Sequence, residues 1–432
     1  LVNKIFTLVL IILFLTNCSF NSKSKFWTNE EKIQVDKDLK VTEIFKKETI
    51  FEKELNPQLE IKLSDKIIQD SFINNLNNNN GRTNYNGSLK KSSRFKFVKI
   101  DKFDFAEPEI AFDKNNLIFF DNKGSILKFD NSSKLIWKKN FYKKYEKKSK
   151  PLLSFANNKK ILIVTDSLAK FYSIDINSGE LLWEHRNSSP FNSQVKIYED
   201  KFFAVDFDNI LRCYSLEDGK EIWQFKTEKS FIKSQKKLSL LLKNNIVIFI
   251  NNLGDVTALN YSDGSLLWQT PTQSNVIYQE AFSLENSDLV LINDTVYFSN
   301  NKNEFFSIDT TSGIIKWKQT INSNLRPTVL KNFIITISQE GFLFVIEQKS
   351  GNILRVSNSL INIKNNEVTP EGFVIAKNKV YLSLSNGRII KIDLKTGFQE
   401  NIFKLHGSKI SRPYVFKENM YLIKDNAIIK VK

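Results

Sequence analysis

The chain has 432 residues, 41% of them hydrophobic, with 63 Lys and Arg against 47 Asp and Glu, a formal net charge of +16. Its two histidines, His185 and His406, lack Cys or carboxylate ligand spacing, and no GxSxG, HExxH or phosphate-binding glycine loop occurs, so the common metal and nucleophile signatures are excluded. The positive excess is dispersed in short clusters such as Lys143, Lys144, Lys147, Lys148 and Lys150, which reads as solvated surface and argues against nucleic acid as a partner.

Residues 1–18 place Lys4 ahead of an apolar run from Ile5 to Leu15 that is too short to cross a bilayer as a helix, the pattern of a processing signal. The run ends in Leu15-Thr16-Asn17-Cys18, which resembles a bacterial lipoprotein signal. The resemblance implies acylation of Cys18, and Ser19 after it implies sorting to the outer membrane, where several acyl chains anchor a protein stably. A plain secretory signal with an incidental cysteine is the alternative.

Residues 19–92 are polar, with an Asn-rich tract NNLNNNNGRTNYN from Asn74 to Asn86 that has no periodicity. The segment reads as tether and loop, although TIFEKEL and LEIKL could lie against the surface of the folded part.

Residues 93–432 read as one folded domain in which a pattern recurs seven times between Ser133 and Gly397: an apolar stretch, a tight turn usually closed by Gly, and a strand with Trp four residues after the turn. The clearest copies are YSIDINSGELLW, RCYSLEDGKEIW, TALNYSDGSLLW and FSIDTTSGIIKW, with Gly179, Gly219, Gly264 and Gly313 answered by Trp183, Trp223, Trp268 and Trp317. An earlier copy, LKFDNSSKLIW, keeps Trp137 but has Ser133 for Gly; two later ones keep Gly351 and Gly397 but carry Arg355 and Asn401 at the Trp position. From Trp137 to Asn401 six intervals span 264 residues, a mean of 44, which is the period of propeller blades. Gly closes a turn whose last residue is left-handed, so each copy holds a hairpin, and a second pair of apolar runs such as NIVIFINN and VTALNY gives four strands per repeat. Consecutive apolar residues such as Leu181, Leu182 and Trp183 predict strands buried on both faces. The indoles are expected to pack between blades.

ISRPYVFKENMYLIKDNAIIKVK supplies three final strands without a fourth, and RFKFVKID, Arg94 to Asp101, is available to complete the set. The expected fold is therefore all-β: an eight-bladed β-propeller of four-stranded antiparallel blades, its terminal blade closed by an N-terminal strand. Cys213, between Arg212 and Tyr214 in a predicted strand, reads as a buried free thiol, and with Cys18 acylated no intramolecular disulfide can form. Turns such as Asp121-Asn122-Lys123-Gly124 and Asn252-Leu253-Gly254-Asp255 sit where strand connections need such residues, so no metal is inferred from them.

The repeat SIDINSGELLW, Ser173 to Trp183, resembles the pyrroloquinoline-quinone-type propeller repeat, A-x-D-x-x-[ST]-G-x-x-x-W. Quinoprotein dehydrogenases of that type hold quinone and calcium and use a vicinal disulfide, whereas this chain has no adjacent cysteines. The other branch, the propeller lipoproteins of the outer-membrane β-barrel assembly machinery, is the better resemblance, and NEEKIQV is similar to the segment after the signal in its alphaproteobacterial members. It implies a non-enzymatic scaffold without cofactor, on the periplasmic face of the outer membrane. The implied partners are the POTRA region of the barrel-inserting subunit and other lipoproteins of the machinery. Family members dock through loops after the third and fourth Trp, here after Trp223 and Trp268, which points to Phe231 and Lys233 in Ser230-Phe231-Ile232-Lys233 and to Glu285 and Asp288 in Glu285-Asn286-Ser287-Asp288. A short quinoprotein dehydrogenase and a module binding glycan or peptide in the central channel remain as alternatives.

Overall fold

A computed structural model describes residues 53–63, 76–101, 103, 107–229, 233–234, 236–272, 284–363 and 368–432. The chain separates into compact units of residues 1–48 and 49–432, and every described residue falls in the second. Cys18 lies outside the described residues. The second unit contains eight antiparallel four-stranded sheets in chain order, one of which gains a fifth strand, and a single short helix, Lys144–Lys148, among the described residues. Blades 1 to 7 occupy residues 111–139, 153–186, 196–226, 240–270, 290–319, 328–358 and 370–404. Blade 4 is representative: Leu240–Lys243 is innermost, followed by Ile246–Ile250, Val256–Asn260 and, outermost, Leu266–Thr270.

Blade 8 joins the two ends of the folded chain. Tyr414–Phe416, Asn419–Lys424 and Ala427–Val431 form its inner three strands, and Lys91–Lys96 pairs antiparallel with Ala427–Val431, with Arg94 opposite Ile429 and Phe95 opposite Ile428. Closure by the N-terminal segment follows the sequence expectation, with the strand starting three residues earlier and ending at Lys96. Closing the ring leaves no blade without a neighbour.

The middle strands are buried on both faces because each blade is sandwiched between two others. Leu241, Ile248 and Ala258 of blade 4, for example, share one apolar cluster with Leu291, Val296 and Phe306 of blade 5. The outermost strands depart from the expectation. Leu181 and Leu182 are 39% and 53% exposed, and Leu266 and Leu267 about half exposed, because an outermost strand has one neighbour in its sheet and is interrupted by a β-bulge. The bulge falls between Leu181 and Trp183, and between Leu266 and Trp268, so it resets the alternation and turns the indole inward.

Each indole among the described residues meets the turn glycine of the next blade. A Cβ on Gly264 would lie 2.5 Å from Cε3 of Trp223, and Gly179, Gly219, Gly313 and Gly351 stand in the same relation to Trp137, Trp183, Trp268 and Trp317. Gly264 also has φ +73°, so glycine is required there both for backbone conformation and for close approach. The indole N–H then donates into the same turn: Trp183 to the Leu216 carbonyl at 3.4 Å, Trp223 to Tyr261 at 3.2 Å, Trp268 to Thr310 at 2.7 Å and Trp317 to Gln348 at 3.3 Å. Opposite the indole on the adjacent strand sit small residues, Ser173, Cys213, Ala258 and Ser307. Cys213 is thus a small residue beside Trp223, and burial pushes its thiol up to about 12.

The irregular copies obey the same geometry. Arg355, fully buried at a Trp position, donates to Leu394 O at 2.8 Å, the carbonyl an indole would reach, and contacts Gly397. Its other nitrogen reaches Leu59 O at 2.9 Å and Lys395 O at 2.5 Å, which fastens residues 53–63 to blades 6 and 7. Leu55 pairs with Val356 and Ile61 donates to Lys395 O, so LEIKL and the described end of TIFEKEL, residues 53–55, lie against the propeller. Ser133 is tolerated at φ +71° because the outer strand behind it, Lys91–Lys96, presents Ser93 where other blades present Trp. Asn401 replaces Trp because blade 8 has no third-to-fourth-strand turn to receive one.

Two outcomes are expected. Gly264→Ala destabilises the protein by about 2–4 kcal/mol through left-handed strain and overpacking, whereas Ser133→Gly stays within about 1 kcal/mol of wild type, both read by urea unfolding. Cys213 resists iodoacetamide in the native protein at mildly alkaline pH and reacts once guanidinium unfolds it; rapid native alkylation would contradict its place beside Trp223.

Candidate functional site

The connections from each outermost strand to the next innermost strand gather on one face with the turns between second and third strands. The two loops implicated by sequence are both there. Ser230, Phe231 and Ile232 lie outside the described residues. Lys233 is half-buried and donates to the carbonyl of Phe207, in a turn of blade 3. Glu285 is half-buried; its backbone N–H is held by Asn301 Oδ1 at 2.9 Å and its carboxylate accepts from Asn324 Nδ2. Lys236, three residues after Lys233, donates to the carbonyl of the same Asn324. The loop after Trp223 and the loop after Trp268 are therefore tied together through Asn324.

Asp288 points elsewhere. It is buried at the head of blade 5, where its carboxylate pairs with Arg326 at 2.5 Å and with Arg412 at 2.7 Å. Arg412 also pairs with Glu109, so residues before the inner strands of blades 1, 5, 6 and 8 meet inside the ring. Burial acts to raise the Asp288 pKa, but the Arg326 and Arg412 guanidiniums outweigh it and hold the carboxyl far below the usual range. The expectation that Glu285 and Asp288 form one acidic docking patch is corrected accordingly: only Glu285 faces the loop cluster.

The centre of the ring is filled by the Asn-rich tract. Leu76 O and Asn77 O accept from Leu242 N and Leu291 N, both at 2.9 Å, on the inner strands of blades 4 and 5. The Asn79 side chain exchanges two hydrogen bonds with the Val329 backbone of blade 6, each 3.1 Å, and Arg82–Thr83 pairs in parallel with Ile375 and Ala376 of blade 7. Asn78 is buried, donating to the Leu240 and Leu289 carbonyls and accepting from Lys196 Nζ at 2.6 Å. The description of residues 19–92 as tether and loop therefore fails from Leu76 onward. Composition hides this because the tract buries amides instead of apolar surface, satisfying innermost-strand groups that would otherwise lack partners.

Beside Lys233 a cavity of about 270 Å³ opens between blades 1, 2 and 3, walled by Phe120, Leu152, Phe191 and Phe207, with Lys233 and Lys237 at its polar side. Burial lowers the Lys237 pKa, opposed by Glu109. The repeat pattern offers no sign of this cavity, because its walls come from three separate repeats. The acidic turns form their own backbone caps: Asp121 Oδ1 accepts from the N–H of Lys123 and of Ser125, each at 2.9 Å, and Asn251 does the same for Leu253 and Asp255. Among the described residues no group of three or more His, Cys, Asp or Glu side chains could hold a metal ion.

Removing the Asp288 carboxylate strands two buried guanidiniums. Asp288→Ala is expected to cost about 3–5 kcal/mol in equilibrium unfolding; a change no larger than that of an exposed surface substitution would mean the carboxylate is not buried among them.

Among solved structures, BamB from Moraxella catarrhalis superposes with a TM-score of 0.65 at 13% identity, covering 80% of this chain and all of that one. The computationally designed Ika8 protein gives 0.58 at 15% identity over 78% and 99% of the two chains. Quinohemoprotein alcohol dehydrogenase ADHIIG from Pseudomonas putida HK5 gives 0.56 at 11% identity over 80% and 76%. These likenesses show the fold. A search of curated proteins finds no match. A family model described as outer membrane protein assembly factor BamB matches residues 122–357, just over half of the sequence. On that match the chain belongs to the family of the outer membrane protein assembly factor BamB.

Proposed function

We propose that this protein is a lipid-anchored, non-enzymatic scaffold of the outer-membrane β-barrel assembly machinery, held at the periplasmic face of the outer membrane by acylated Cys18. Its partner is the POTRA region of the barrel-inserting subunit, met by the loops after Trp223 and Trp268. The observation that carries this reading is the joining of those loops through Asn324 next to an apolar cavity, which supplies a cation, a carboxylate and a hydrophobic recess within one patch. Family membership supports the assembly role in general.

The interior supports a scaffold over a channel-binding module or a quinoprotein. Asn78, Asn79 and Arg82 occupy the middle of the ring, and the charged groups beside them are engaged with one another. A quinone or sugar would have to displace that tract.

Phe231→Ala combined with Lys233→Glu is expected to reduce capture of the barrel-inserting subunit from membranes by about tenfold while the propeller remains folded by circular dichroism. Lys349→Glu, exposed on the opposite face, serves as the control and leaves capture intact. Undiminished capture by the double variant would remove these loops as the docking site. Separately, Cys18→Ser should abolish incorporation of labelled palmitate; persistent labelling would place the lipid elsewhere.

A further inference from the structure

The junction between blades 7 and 8 is built differently from the others. Blade 8 takes its outermost strand from the N-terminal segment, so it has no third-to-fourth-strand turn, and blade 7 accordingly has Asn401 in place of an indole. A pocket of about 340 Å³ lies at this seam, with Leu405 and Ile429 as its apolar floor and Lys91, Arg94, His406 and Lys424 around it. Among the described residues no carboxylate lines it. The adjoining Asp425 forms an ion pair with Lys99 at 3.4 Å.

Lys424 is buried, with 7% relative exposure, and among the described residues its ammonium makes no ion pair; its hydrogen-bond contact is His406 Nε2 at 3.2 Å. His406 Nδ1 lies 2.9 Å from Ser408 Oγ and 3.3 Å from the Ser408 backbone N–H, and at Nε2 the imidazole meets the Lys424 ammonium, which can only donate. One ring nitrogen therefore serves the three donors of the Lys424 ammonium. Burial lowers the Lys424 pKa and the positive charges of Arg94 and Lys91 lower it further, outweighing the opposing effect of Asp425. Buried ammonium groups are ordinarily matched by an anion.

We propose that this seam pocket binds a phosphate group, held by Lys91, Arg94 and Lys424 beside His406. Flexible lysines supply point charge, while the Arg94 fork is suited to two phosphate oxygens at once. A phosphodiester headgroup of a lipid and free inorganic phosphate share this chemistry.

The test is calorimetric titration of the full-length protein in phosphate-free buffer with inorganic phosphate, and in parallel with glycerophosphoglycerol, the headgroup of phosphatidylglycerol without its chains. Saturable binding of either probe at one site per chain is expected, weakened about tenfold or more by Arg94→Gln and by Lys424→Met. Lys424→Met retains side-chain volume, and Arg94 is exposed, so Arg94→Gln reports even if the Lys424 variant fails to fold. Tighter binding of the diester assigns the site to a lipid headgroup; equal or tighter binding of inorganic phosphate assigns it to the free anion. Absence of saturable binding for both probes, or affinities unchanged by Arg94→Gln and Lys91→Gln, would overturn the proposal.

Discussion

The interaction on which the structure depends is the clamp between one blade's outer strand and the next blade's turn. An indole lies on a glycine that has neither the Cβ to obstruct it nor a penalty for its left-handed backbone, and the indole N–H closes on a carbonyl of that turn. The clamp needs four things in register: a bulge to aim the ring inward, a small residue such as Ala258 or Cys213 across the strand pair, the glycine, and the free carbonyl. Such coupled requirements explain why the motif recurs at a fixed offset while the residues around it drift.

Where the clamp is modified, the substitutes serve the same carbonyl. At the first junction Lys128 Nζ occupies Ile176 O at 2.7 Å, which leaves Trp137 Nε1 without a partner among the described residues, and at the closing junction Lys430 reaches Asn131 O at 3.4 Å. Arg355 does the same work at the sixth junction and gathers the N-terminal residues 53–63 as well. The junction between blades 7 and 8 has no such turn to receive a donor, and it is there that Lys91–Lys96 closes blade 8 and the cationic pocket lies.

Blade number, the closing strand and the turn glycines are legible in the sequence because each follows from local periodicity: apolar runs, a turn signal and a Trp at constant spacing. What the sequence hides is long-range and polar. The tract around Asn78 has the composition of a linker, yet its amides pair with inner strands 118 to 250 residues away. Asp288 reads as a loop acid because nothing nearby in sequence reveals Arg326 or Arg412. Leu181 and Leu182 read as buried although they are exposed, because a bulge mimics two-sided burial in a linear pattern. The face that joins Lys236, Asn324 and Glu285 likewise arises from three different repeats.

The central claim is that the N-terminal polar segment is structural, sealing both the ring and its centre. Native-state hydrogen exchange tests it most directly. Amides of Leu242, Leu291 and Val329, which bond to the Asn-rich tract, should exchange as slowly as the middle strands of the blades, and those amides of Lys91–Lys96 that bond to Ala427–Val431 should be protected well beyond an unstructured chain. Exchange of Lys91–Lys96 at the rate of an unstructured chain, with the inner-strand amides equally unprotected, would contradict it.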